Sequence, residues 1–125
     1  MISPAIEVVI ENHVDTSDPV VIEGDGILPS LMRRPSVRER ASNGRVQVVF
    51  LVEPEEDVLL VDMDVRYRAI ARQNEAQLRS MAHTRWLHGQ WLANEAHRYG
   101  LPVLEPRPRE TLAERIVAAI DFKGP

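Results

Sequence analysis

The sequence predicts an α/β fold, a three-layer α/β/α arrangement around a short parallel sheet. Three observations carry that expectation. The chain has short, unbroken runs of β-branched and aliphatic residues, at Val20–Ile22 and Val46–Val52. Unalternating runs of this kind suit strands buried on both faces. Segments with helical spacing separate the runs, which calls for crossover connections. The 125 residues allow a single domain, spanning 1–125, with 44% hydrophobic and 27% charged residues, a globular balance.

The elements follow in order. Ser3 before Pro4 offers a hydroxyl cap with proline at the first helical position. Ile6, Val9, Ile10, His13 and Val14 then recur at helical spacing, so an amphipathic helix of about three turns is expected. Thr16–Pro19 ends it. Val20–Ile22 reads as a buried strand closed by Glu23, Gly24, Asp25 and Gly26. Pro29 opens a brief helix through Met32, and Pro35–Arg45 reads as a polar loop ending in the turn residues Asn43 and Gly44. Val46–Val52 is the strongest strand, stopped by Glu53 and Pro54. Acidic residues after that proline favour a helix from Glu55 to Met63. From Arg68 to Tyr99 a long or once-bent helix carries Leu78, Ala82, Gly89, Leu92, Ala96 and Tyr99 on one stripe, and Gly100 terminates it before Pro102. Val103 and Leu104 form a short strand, Pro106 and Pro108 a rigid turn, and Thr111 with Glu114 a capping box for a last helix to about Ile120.

Composition removes several classes of function. No apolar run reaches the roughly 20 residues of a membrane-spanning helix. The first ten residues show no secretory-signal pattern, so a cytoplasmic protein is expected. With no cysteine there is no disulfide, thiolate nucleophile or cysteine zinc site. Net charge is −4, divided as −8 over residues 1–64 and +4 over residues 65–125, so an anionic ligand is sought in the second half. Fourteen of the fifteen basic residues are arginine, and Lys123 is the only lysine. The histidines have no zinc spacing, and His83 and His88, five apart, lie on different helix faces. Trp86 and Trp91 read as packing residues, and no basic patch with interleaved aromatics supports nucleic-acid binding.

In parallel sheets ligands gather beyond the carboxyl ends of the strands. There stand Glu23, Asp25, Glu53 and the segment Glu105–Arg109. Glu23 and Asp25 could hold magnesium through water or accept a proton from a substrate hydroxyl, and could equally be solvated turn residues. Arg66, Arg68 and Arg72, with Arg79 and Arg85 further along the long helix, could close guanidinium forks over a phosphate or form a solvated basic face.

Two segments together, VVIEGDGILP at Val20–Pro29 and WLHGQWLANEAHRYGLPVLEPRPRETLAERI at Trp86–Ile116, resemble the later half of the P-loop small-molecule kinases, the group of nucleotide, shikimate and gluconate kinases. The resemblance spans nearly the whole chain. It implies that Glu23 and Asp25 are the acidic, catalytic end of a strand near the acceptor substrate, with Asp25 beside magnesium. It implies that the arginines from Arg66 to Arg79, namely Arg66, Arg68, Arg72 and Arg79, belong to the lid over the phosphates, and that the loop of Pro106, Arg107 and Pro108 packs beside adenine. Such kinases grip phosphate with a glycine-rich loop ending in lysine and a serine or threonine. This chain has no such segment, and Lys123 lies after the final helix. It also lacks the family's first strand, which lies between those matching Val20–Ile22 and Val46–Val52. These two neighbours must then pair directly, or another chain must fill the gap.

The expectation is therefore a fragment or shortened relative of an ATP-dependent small-molecule kinase, inactive alone. ATP and Mg2+ would serve only a complete form, and none would bind this chain tightly. Its partner would be a second copy or a missing N-terminal segment, with no nucleic acid or membrane. The alternative is a non-catalytic α/β interaction module. A metal-dependent hydrolase using Glu23, Asp25 and Glu53 ranks behind both.

Overall fold

The structure is a computed structural model and describes residues 2–67 and 74–120. It is mostly helical, with one small parallel sheet. The chain divides into two compact units, Met1–Val48 and Val49–Pro125.

In the first unit α1 spans Ile2–Asp15, a single 3-10 turn Pro29–Arg33, and α2 Pro35–Ser42. The apolar stripe of α1 packs as its spacing predicts except at Val9, which is 43% exposed: Ile10 joins Leu31 and the fully buried Val37 in a core that Ile6, Val14, Ile27, Met32 and Val46 extend. Helix α1 starts at Ile2, so Ser3 lies inside its first turn rather than at its cap. The polar loop expected over Pro35–Arg45 is instead helical through Ser42, and the reason is tertiary. Pro35 supplies a first helical position, Val37 enters the core, and Glu7 of α1 accepts hydrogen bonds from Arg34 Nε and Ser36 Oγ. Arg40 adds a fork onto Asp15, with Nη2 at 2.9 and 3.0 Å from the two carboxylate oxygens. These contacts offset the weak helical pattern of the segment. Gly44 ends the helix region at φ 73°, in the turn expected there.

The strand expected at Val20–Ile22 does not form. Those residues lie outside helix and sheet, and Val21 is 94% exposed. A strand exists only where a neighbour completes its ladder, and no strand of the described residues lies alongside this run.

In the second unit β1 is Phe50–Leu51, α3 Glu56–Tyr67, α4 Glu75–Arg98, β2 Val103–Leu104 and α5 Leu112–Ala119. The strands pair in parallel, Phe50 opposite Val103 and Leu51 opposite Leu104. Phe50 N donates to Pro102 O at 3.0 Å and Val52 N to Leu104 O at 2.9 Å. The run expected to be strand over Val46–Val52 is thus strand in two residues only, because its partner is bounded by Pro102 and Pro106, which have no N–H to give. Helices α3 and α4 fill the crossover and pack on each other, and α4 also covers both strands. The stripe on α4 holds: Leu78, Ala82 and Ala96 are buried, and Gly89 approaches so closely that an added Cβ would stand 3.2 Å from Val52 Cγ1.

Helix α4 begins with a capping box that sequence inspection passed over. Asn74 Oδ1 accepts from Gln77 N at 2.8 Å while Gln77 Oε1 accepts from Asn74 N at 3.1 Å. Its far end carries Gly100 at φ 70°, with Leu101 N donating to Ala96 O at 2.8 Å. Replacing Gly100 by alanine forces a Cβ into left-handed backbone and should cost about 1 kcal/mol, read as a lower urea midpoint with unchanged slope.

The capping box expected at Thr111 and Glu114 is absent. A 3-10 turn, Arg109–Thr111, leads into α5, and Thr111 has φ −109° and ψ 1° rather than the extended backbone of a cap. Its hydroxyl instead accepts from Arg115 Nε at 3.1 Å. No helix among the described residues is long and apolar enough to cross a membrane.

Candidate functional site

Among the described residues of the second unit, a connected set of polar side chains lies where the two strands end. Val52 leaves β1 and is followed by Glu53, whose side chain is only 6% exposed. A carboxylate so placed needs compensating donors. Arg107, in the loop after β2, supplies them with a two-pronged fork: Nε to Oε1 and Nη2 to Oε2 at 3.0 Å. Glu55 N adds a third donor to Oε2 at 3.1 Å. The Arg107 hydrogen bond holds the Glu53 carboxyl below the usual carboxylate range, against the opposing effect of burial, with Glu55 N assisting. The same bond raises Arg107 above the ordinary guanidinium value.

The loop that presents Arg107 is itself fixed from α5. Arg115 Nη1 donates to Glu105 O at 2.7 Å and Nη2 to Pro108 O at 2.8 Å, so one guanidinium spans the loop from both sides of Arg107. The Arg107–Pro108 peptide is cis. From α4, Trp86 Nε1 donates to Pro54 O at 3.0 Å, and the His83 ring stacks on Trp86 with centroids 5.9 Å apart while His83 Nδ1 lies 2.7 Å from Glu56 Oε1. Arg107 remains 45% exposed at its side chain. The arrangement therefore offers solvent a guanidinium held in orientation by a buried carboxylate, beside Pro108, at the carboxyl ends of two parallel strands.

The other residues singled out from sequence are placed differently. Glu23 and Asp25 belong to the first unit, both exposed, and follow an irregular segment rather than a strand. Among the described residues no group of three or more histidine, aspartate or glutamate side chains is arranged to hold a metal. Arg66 is exposed near the end of α3, and Arg79 is engaged within α4, its Nη2 2.9 Å from Glu75 Oε1. Arg68 and Arg72 lie outside the described residues. Glu53 and Arg107 are brought together although 54 positions separate them, and Arg115 and Trp86 are the site residues that sequence reading assigned no part. The spacing Thr111–Arg115, one helical turn, was the only local signal that Arg115 points back over the loop.

Comparison with protein-family models, with curated proteins and with solved structures finds no match for this chain.

Proposed function

We propose that the chain is the acceptor-side and adenine-side portion of an ATP-dependent small-molecule kinase, with the phosphate-gripping loop supplied from outside these residues. The finer fold belongs to the same reading: a three-layer P-loop-type sheet to which β1 and β2 contribute two strands. The observation that carries it is the Glu105–Pro108 loop, pinned by Arg115 and by the Glu53–Arg107 fork at the carboxyl ends of parallel strands joined through helices. A purine ring would lie against the Arg107 guanidinium face and Pro108.

The residues fit the implied groups unequally. Arg107 and Pro108 suit a flat, weakly polar base, since the fork to Glu53 leaves the guanidinium orientation fixed before a ligand arrives. Glu23 and Asp25 have the hard oxygen donors that magnesium takes, and magnesium commonly uses only one or two carboxylates, completing its shell with water and substrate phosphates. On an exposed turn they make no cage of their own. In the assembled enzyme Mg2+ would neutralise phosphate charge during transfer to the acceptor. Glu23 or Asp25 would orient the acceptor hydroxyl or hold that ion, and Arg66, Arg68, Arg72 and Arg79 would form the lid.

Alone, the chain should be a poor catalyst or none. Calorimetric titration with magnesium-ATP should give no saturable heat below roughly millimolar nucleotide. Micromolar affinity would overturn the claim that the phosphate grip lies elsewhere. A second reading, a non-catalytic interaction module, is favoured by the exposure of Val8, Val9 and Val21 on the first unit. Light scattering separates the two in part, since a strictly monomeric chain at all concentrations counts against self-association.

A further inference from the structure

The first unit contains a cavity of about 520 Å³ lined mostly by apolar side chains, among them Val20, Ile22, Val46 and Val48. Its walls conflict with their own sequence. Val20–Ile22 and Val46–Val48 are rich in the residues that most favour strands, yet neither segment is in a strand, and no backbone hydrogen bond joins either to another described residue. Around Val21 the degree of exposure alternates, although none of the three is buried: Val20 is 47% and Ile22 36% exposed and both line the cavity, while Val21 between them is 94% exposed. That is the two-residue period of a pleated strand awaiting a ladder.

The chemistry of the lining selects the kind of occupant. Asp18 and Arg45 offset each other in formal charge. Arg45 Nη2 already donates to Val14 O and Ser17 Oγ, and His13 Nδ1 lies 3.0 Å from Asp18 O. Arg45 and His13 are thus turned onto their own chain, Gln47 adds a polar but uncharged side chain, and most of the remaining lining is apolar, which matches an uncharged occupant better than an anionic one. Along Val20–Ile22 and Val46–Val48 the backbone N–H and C=O groups bond no described residue, and only another backbone pairs with such groups in series.

We propose that this cavity is a strand-acceptor site, filled by an extended, uncharged segment rich in β-branched residues from a partner polypeptide. The segment's backbone pairs with Val20–Ile22 and Val46–Val48, and its side chains fill the apolar space. The inference shares with the kinase reading the expectation of an outside strand, but its test reads backbone protection and involves no nucleotide.

The probe is a capped synthetic peptide of about six residues, alternating valine and threonine, the length of a common strand. Added to the full chain, it should slow amide hydrogen exchange at Val20–Ile22 and Val46–Val48 by about tenfold or more. The same peptide methylated on alternate backbone nitrogens should give no protection. Val21→Pro and Val48→Pro remove donors that bond no described residue in the free chain, so helical circular dichroism should be unchanged while the peptide's effect is lost. No slowing up to about 1 mM peptide, or equal slowing by the methylated peptide, overturns the proposal. Protection that grows with protein concentration without peptide, together with a dimer in light scattering, assigns the site to a second copy and overturns the partner assignment. Peptide protection alongside micromolar magnesium-ATP binding would overturn the outside phosphate grip of the kinase reading and leave this proposal standing.

Discussion

Replacing Arg107 by methionine should lower the melting temperature by roughly 5 °C at neutral pH, and the difference from the unaltered chain should shrink on acidification. Glu53 is buried with Arg107 as its principal partner. In the folded protein that partner holds the Glu53 carboxyl below its ordinary value of 4.5. The pair therefore contributes stability that is fully present above the unfolded value and is lost as pH falls through the depressed folded one. Methionine keeps most of the side-chain length and removes the fork. The carboxylate then stays buried with little besides Glu55 N, so its affinity for a proton rises above the ordinary value. The variant's penalty is thus greatest when Glu53 is ionised and falls away once it is protonated. Thermal melts between pH 7 and about pH 3 check this, and a gap that stays constant across the series contradicts it. Glu53→Gln combined with Arg107→Met should remove the pH dependence that belongs to the pair.

The second large effect concerns Gly89. A Cβ there would meet Val52 Cγ1 at 3.2 Å, and Val52 is itself buried in the strand region. Gly89→Ala sets a helix-propensity gain of about 1 kcal/mol against that crowding and should come out near neutral. Gly89→Leu cannot be accommodated by a few tenths of an ångström. It must push α4 from β1 and should cost about 2 kcal/mol or more in urea denaturation. Because Val52 immediately precedes Glu53, the leucine variant should also weaken the fork to Arg107. Its loss and that of Arg107→Met should then be less than additive, whereas independent sites would simply sum.

What could be read from the sequence was local. Gly100 before Pro102 marked the end of α4, Pro29 marked a short turn of helix, and the parallel sense of the sheet followed from helical segments between apolar runs, whereas the pairing of Val103–Leu104 with Phe50–Leu51 was not foreseen. What could not be read was decided across long separations. Pro35–Ser42 has the composition of a loop, and becomes helix through Val37 in the core and through contacts to Glu7 and Asp15 on α1. Val20–Ile22 has the composition of a strand, and is none without a neighbour. Glu53 and Arg107 were each noticed because each follows a strand, but nothing local says that one fork joins them, and so the partners of the site residues were the least legible part.

The hydrogen bond from Trp86 Nε1 to Pro54 O carries one more consequence. It fixes an indole one residue from Glu53, whereas Trp91 on the same helix is 46% exposed and stacks on His88. Both indoles stack on a histidine, but only one is tethered beside the strand ends, while the other is about half exposed. With Trp91 replaced by phenylalanine, the chain carries a native optical reporter one residue from the Glu53 carboxylate, and no dye need be attached to watch it.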